Sequence, residues 1–155
     1  MAAIVNHMEP APYIPHVGDA ILLDEVWQGT QWLTRASVVV RGATPFGGNE
    51  EGWPSWMAIE LMAQVVAASA GLREFRPGVR ARLGLLLGVR AFSCVWDLLP
   101  AGTHLALTAA ESTRDESGMG VFDCTIDAGG KTVASGVLTV YLPEFPDEYL
   151  EYLEQ

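Results

Sequence analysis

Most of the chain consists of segments with strand composition, separated by short runs of turn residues. The first two segments are 20–27 and 31–40, and residues 28–30 (Gln-Gly-Thr) between them suit a hairpin turn. Four more follow at 82–98, 103–113, 118–128 and 131–142, with turn residues at 100–102, 115–117 and 129–130. Short connections favour antiparallel pairing, so the pattern predicts an antiparallel sheet of about six strands.

A loop and one long helix are predicted between the second and third of these strands. Residues 41–53 contain four glycines and one proline, too many breakers for regular structure. From residue 54 to residue 75 the sequence is rich in alanine, leucine and methionine, and it opens with proline, which suits a first helical turn. The apolar residues do not gather on one stripe. A helix that is apolar on every side is buried on every side, which predicts an α+β fold with the sheet wrapped around the helix.

Glu60 is the exception within this helix. Burying an ionised carboxylate without a partner is costly, so we expect Glu60 either to be held protonated or to be met by hydrogen-bond donors. Both states suit a general acid. Gln64 lies one helical turn later on the same face and is a candidate for orienting the carboxyl group. The alternative is a structural glutamate that reaches solvent at a crevice or a subunit interface.

Charge excludes one class of partner and suggests another. The formal net charge is -10, which argues against nucleic-acid binding because phosphates would repel the chain. Five of the nine basic residues nevertheless fall within residues 73–90: Arg73, Arg76, Arg80, Arg82 and Arg90. This cluster is either a solvated face or a docking patch for an acidic partner or a phosphorylated carrier arm.

We expect a single domain over residues 1–155, with a loose N-terminus at 1–14 and an acidic C-terminal tail at 143–155. The opening residues lack the pattern of a secretion signal, and the apolar helix is short and polar for a membrane span, so a cytoplasmic protein without membrane contact is expected. Cys94 and Cys124 lack metal-ligand spacing. We therefore expect buried thiols, with neither a disulfide nor a metal.

Three segments resemble the 3-hydroxyacyl-[acyl-carrier-protein] dehydratases. Residues 15–24 (PHVGDAILLD) resemble their Pro-His-x-x-Pro-x-Leu-Leu-x-Asp opening, residues 54–64 (PSWMAIELMAQ) resemble their Pro-Gly-Val-Leu-x-x-Glu-x-Met-Ala-Gln helix, and residues 130–143 resemble their closing strand. These pieces stand in the family's order over roughly residues 13–143. The branch found near aryl-polyene pathways, with its Pro-His-x-Gly opening, is the most similar. The resemblance implies a hot-dog fold, an antiparallel sheet wrapped around one long central helix.

The resemblance also implies a reaction, with one departure from the family. The usual catalytic histidine of a Gly-His-Phe-Pro motif is replaced here by Phe46, which leaves His16 as the motif-supported base. In this hypothesis His16 removes a proton from a 3-hydroxyacyl thioester and Glu60 protonates the departing hydroxyl group. Backbone amides of Ser55 and Trp56, at the helix N-terminus, would stabilise the developing negative charge.

Further roles follow from the same resemblance. Met57, Leu61 and Met62 would line the acyl chain unless they are plain core, and Arg73, Arg76, Arg80 and Arg82 would dock the carrier. The thioester would be carried by acyl carrier protein or coenzyme A, and no cofactor is implied. A homodimer or a higher even oligomer is expected, or a heterodimer with another hot-dog protein. Two alternatives stay open: a non-catalytic partner of an active dehydratase, and an acyl thioesterase.

Overall fold

One long helix and an antiparallel sheet form most of the structure, a computed structural model that describes residues 6–143. The helix α1 spans Met57–Glu74. The strands are β1 (Glu25–Thr30), β2 (Leu33–Val39), β3 (Gly52–Pro54), β4 (Leu85–Cys94), β5 (Leu98–Pro100), β6 (His104–Arg114), β7 (Met119–Ala128) and β8 (Lys131–Tyr141).

Six of the strands form one sheet in the order β1-β2-β6-β7-β8-β4, and every neighbouring pair is antiparallel. Strands β3 and β5 form a separate antiparallel pair. Side chains alternate between the two faces of a strand, and one face of this sheet is buried. In register across the sheet, Ala36 lies opposite Leu107, Leu107 opposite Ile126, and Ile126 opposite Ala134. All four side chains are buried, and the helix packs against this face.

Helix α1 is enclosed because it has apolar residues on every side. Met57, Leu61 and Val65 are at most 1% exposed, within a core that also holds residues of the sheet. On the side away from the sheet, the segment before β1 covers the helix, and Leu22 is fully buried there. The N-terminal chain approaches the helix most closely at Gly71, where a Cβ atom would overlap the backbone carbonyl of Tyr13.

Several boundaries differ from those predicted. β1 begins at Glu25, because the preceding carbonyls of Ile21 and Leu22 accept hydrogen bonds from the side chain of Arg41 and not from a neighbouring strand. The hairpin turn lies at residues 31–32, later than residues 28–30. The predicted strand 82–98 is divided into β4 and the start of β5, with an irregular register around Ala91, whose φ is 52°. Residues 52–54, the end of the predicted loop and the first residue of the predicted helix, form β3, and α1 begins only at Met57.

The predicted loose N-terminus is wrong for the part that the structure describes beyond residue 7. Met8 pairs with Val26 through two backbone hydrogen bonds, and residues 11–13 form a short 3-10 helix. Tyr13 and Ile14 are buried, since apolar side chains here cover the helix. Residues 1–5, and all of the predicted acidic tail except Pro143, lie outside the described residues.

The two cysteines were expected to be buried thiols without a disulfide, and the apolar helix was expected to be too short and too polar for a membrane span. Cys94 and Cys124 are both free thiols, and burial raises the pKa of the Cys124 thiol to about 12, which disfavours the reactive thiolate. Among residues 6–143, no helix has the length and hydrophobicity needed to cross a membrane.

Candidate active site

His16 and Glu60 meet at the side of helix α1. Residue 16 lies just after the buried Ile14 and before a short 3-10 helix at 18–20, and Glu60 lies in the first turn of α1. Nε2 of His16 is 3.1 Å from Oε1 of Glu60. The imidazole is 23% exposed and the carboxyl group is 24% exposed. Glu60 is therefore more accessible than the uniformly apolar helix sequence predicted, because its side chain opens onto a cavity.

Gln64 holds the carboxyl group of Glu60 in place. Its side-chain oxygen accepts a hydrogen bond from the backbone N–H of Leu22 at 2.9 Å, which fixes the orientation of the amide because that N–H can only donate. The amide nitrogen then donates to the carbonyl of Ala20 at 2.7 Å and to Oε1 of Glu60 at 3.0 Å. Gln64 is fully buried, and two of its bonds attach the segment that carries His16 to helix α1, while the third holds the carboxyl group of Glu60 within the helix.

Each catalytic candidate has one atom that the geometry singles out. Both contacts of Glu60 are made by Oε1, and Oε2 has no hydrogen-bond partner among residues 6–143. In the imidazole of His16, Nδ1 is buried without a hydrogen-bond partner in the same residues, so Nε2 is the nitrogen that faces Glu60 and the cavity. A substrate in the cavity would therefore meet Nε2 of His16 and Oε2 of Glu60.

A cavity of about 240 Å³ runs from this pair along the helix. Its walls are mainly apolar and belong to α1, to strands β4, β6, β7 and β8, and to residues 82–84, which precede β4. The apolar residues from these elements include Ala63, Val66, Ala67, Ala70, Phe122 and Val140. Charged side chains also line it at the C-terminal end of the helix, namely Arg73, Arg82, Glu111 and Arg114. The cavity thus combines a histidine–carboxylate pair with a mainly apolar channel, as expected for an acyl substrate.

Comparison with known proteins identifies the family. Residues 8–151 match the family model described as ApeP-like, ApeP dehydratase. This chain belongs to the ApeP-like dehydratase family. No curated protein matches the sequence.

Solved structures confirm the hot-dog fold of this ApeP-like chain. The dehydratase heterocomplex ApeI:P from Xenorhabdus doucetiae matches with a TM-score of 0.80 and 26% identity, over 97% of this chain and 100% of that chain. The PaaI protein of the Escherichia coli phenylacetic acid degradation operon has a TM-score of 0.54 and 15% identity, over 75% and 80% of the two chains. A hypothetical thioesterase from Streptococcus pneumoniae, solved with coenzyme A, has a TM-score of 0.55 and 12% identity, over 76% and 84%.

In this ApeP-like chain, two groups of residues that were predicted to form the site lie outside the cavity. Met57, Leu61 and Met62 do not line the cavity; they are at most 1% exposed and belong to the core. The N–H of Ser55 donates to the carbonyl of Asp97 at 3.0 Å, so it is not free to polarise a thioester. Trp56 is half exposed and does not line the cavity. The helix N-terminus contacts β3, a strand that was not predicted from the sequence, and β3 in turn pairs with β5.

The predicted docking arginines fall into two sets. Arg73 is paired with Glu111 inside the cavity, and Arg82 donates to Glu74 and to the carbonyl of Pro143. The hydrogen bond from Arg82 lowers the pKa of Glu74, with burial opposing it and nearby arginines reinforcing it. Arg76 and Arg80 are exposed, and Arg80 lines an open groove that His16 also lines.

The sequence analysis missed the small side chains that form the channel. Ala63, Ala67 and Ala70 follow Glu60 at intervals of three or four residues, which places them on one face of α1 with the carboxyl group. That spacing, counted from Glu60, is the signal that could have found them.

Gln64→Leu should destabilise the protein by about 2–4 kcal/mol, because the N–H of Leu22 and the carbonyl of Ala20 lose their partner and each unmet buried group costs about 1–3 kcal/mol. Urea unfolding measures the change. The matched control is Gln28→Leu, since Gln28 also donates to backbone carbonyls but is exposed near the end of β1. Equal losses in the two variants would contradict the proposed structural role of Gln64.

Proposed function

We propose that this chain dehydrates a 3-hydroxyacyl thioester to a trans-2-enoyl thioester, with His16 as the base and Glu60 as the acid. The observation that carries the proposal is the 3.1 Å contact between the imidazole and the carboxyl group at the side of a mainly apolar cavity. Membership of a dehydratase family supports the reaction class.

The elimination needs one group that accepts a proton and one that donates a proton. The substrate enters between the two side chains, and Nε2 of His16 removes a proton from the carbon next to the thioester carbonyl. The electron pair of that C–H bond forms the new double bond, and the C–O bond to the hydroxyl group breaks. Oε2 of Glu60 protonates the departing hydroxyl group, which leaves as water.

The same pair resets itself after the product leaves. Elimination leaves an imidazolium at His16 and a carboxylate at Glu60. The two side chains are 23% and 24% exposed, so the imidazolium releases its proton to water and Oε2 takes one up from water. Gln64 supports this cycle by donating to Oε1, which leaves Oε2 as the oxygen that carries the proton.

Replacing either partner should stop the elimination. Glu60→Gln and His16→Ala should each lower kcat by about 10²–10⁴-fold, the usual contribution of a general acid or base. Formation of the enoyl thioester, followed by mass spectrometry, is the measurement, and release of free acid would instead identify a thioesterase.

Two surface residues provide matched controls for these variants. Glu50→Gln and His104→Ala change the same residue types at exposed positions outside the cavity. They should retain normal rates. Near-normal turnover by Glu60→Gln or His16→Ala would remove that residue from the mechanism.

We further propose that a second hot-dog chain pairs with strand β4. This strand is one of the two edges of the six-stranded sheet, and an edge exposes backbone groups that can extend the sheet. Leu86 and Leu87, on β4, are 44% and 53% exposed, which is costly for large apolar side chains left in water. The similar solved chain comes from the dehydratase heterocomplex ApeI:P, which favours a non-identical hot-dog partner.

Leu87→Arg should weaken this association, because a charge would replace an apolar side chain at the edge. Light scattering after size-exclusion chromatography should show a smaller complex, alone or mixed with a co-encoded hot-dog protein. The control is Trp32→Arg. Trp32 is as exposed as Leu87 but lies in the turn between β1 and β2, at the opposite side of the sheet from β4. Loss of the complex in the control alone would place the interface elsewhere.

We also propose that Arg76 and Arg80 receive the acidic carrier or its phosphorylated arm. Both are exposed, and Arg80 lines the groove beside His16, on the path to the cavity. Guanidinium groups suit phosphate and carboxylate partners.

The double variant Arg76→Glu/Arg80→Glu should raise KM for carrier-linked substrate several-fold and leave kcat nearly unchanged, because the arginines lie outside the reacting pair. The effect should shrink as salt screens the charges. Steady-state kinetics at two ionic strengths measures it, with exposed Arg35→Glu as the control. An unchanged KM would indicate that both arginines belong to a solvated face and do not dock the carrier.

A further inference from the structure

Beyond the reacting pair, the far end of the cavity contains polar groups that the elimination does not use. Glu60, Ala63, Ala67, Ala70 and Arg73 lie on one face of α1 and line the cavity. A helix rises about 1.5 Å per residue, so Glu60 and Arg73 are separated by roughly 20 Å along its axis. A long acyl chain attached at the reacting pair would therefore point toward Arg73.

The carboxyl group of Glu111 lies at this far end and is almost completely buried. Its side chain is 3% exposed, and Oε2 accepts a hydrogen bond from Nη1 of Arg73. Oε1 lies 3.4 Å from Nε of Arg114 but has no hydrogen-bond partner among the described residues. Nε of Arg73 is also buried without a hydrogen bond in that part of the chain. The far end thus contains one unmet acceptor and one unmet donor.

These unmet groups point to a ligand, since each buried polar atom without a hydrogen bond costs about 1–3 kcal/mol. We infer that the end of the cavity formed by Arg73, Glu111 and Arg114 binds a hydroxyl group at the far end of the acyl chain. This subsite rests on the proposed function, because the thioester end of the chain must lie at His16 and Glu60.

A hydroxyl group fits because it both donates and accepts. It would donate to Oε1 of Glu111 and accept from Nε of Arg73. Because both atoms are buried, binding requires a side chain to move, and Arg114, which is 45% exposed and lies 3.4 Å from Oε1, would swing toward solvent. A plain alkyl end would leave Oε1 of Glu111 and Nε of Arg73 without hydrogen bonds. The negative charge of Glu111 would repel a carboxylate end, and the two arginines would repel an ammonium end.

The test compares acyl-pantetheine thioesters of equal length with and without a terminal hydroxyl group. Saturated chains without the 3-hydroxyl group cannot be dehydrated, so calorimetry of the full chain reports affinity even where turnover is absent. We expect the hydroxylated ligand to bind about tenfold more tightly, the effect of one hydrogen bond of about 1.4 kcal/mol. Equal affinities, or tighter binding of a terminal carboxylate, would overturn the subsite.

A variant then assigns the preference to Glu111. Glu111→Gln keeps the shape and the contact with Arg73 but replaces the acceptor Oε1 with a donor, so the hydroxyl group loses the acceptor for its proton and the tenfold preference should shrink. The control Glu116→Gln, on the surface, should keep the tenfold preference. Retention of the preference in Glu111→Gln would overturn the assignment, and circular dichroism verifies its fold.

Turnover separates this inference from the proposed function. If plain 3-hydroxyacyl thioesters are dehydrated without preference for a terminal hydroxyl group, the subsite is wrong and the reaction stands. If the hydroxylated ligand binds preferentially but no thioester is dehydrated, the subsite stands and the proposed reaction fails.

Discussion

The hydrogen bonds of one buried amide hold the candidate site together. Gln64 is fully buried, and its amide joins the backbone around residues 20–22 to the carboxyl group of Glu60. A buried amide is tolerated only when its donors and acceptor are met, and here two of the three bonds connect the helix to the N-terminal segment while the third reaches Glu60 on the helix itself. The position of the imidazole therefore depends on an interaction that takes no part in proton transfer.

The composition of helix α1 serves two purposes on two faces. Large side chains such as Met57 and Leu61 fill the core, whereas alanines beside Glu60 leave space for the cavity. A face of small residues between a helix and a sheet creates volume without breaking the helix, since alanine has the highest helix propensity. The carboxyl group is thus placed on an otherwise apolar element and still remains accessible.

The architecture, and the part of the site that lies on helix α1, could be predicted from the sequence. The long apolar helix and the alternating strands indicated a wrapped helix, and the spacing of Glu60 and Gln64 placed both on one face. The meeting of residue 16 with Glu60 depends on tertiary packing, so only the family resemblance connected them. The role of Glu111 was not predictable, because a glutamate near the end of a strand usually reaches water. The irregular backbone at Ala91, which divides the predicted strand 82–98, also has no clear sequence signal.

The close approach of Tyr13 to Gly71 adds a second attachment of the N-terminal segment to the helix. His16 lies between that contact and the one at Ala20, so both ends of its short span are fixed. The length of this span, more than its side chains, then sets how far the imidazole extends. The exposed residues Val17 and Asp19 could therefore change in type, whereas Gly18, whose φ is 58°, favours glycine, and adding or removing a single residue would shift the ring away from its partner.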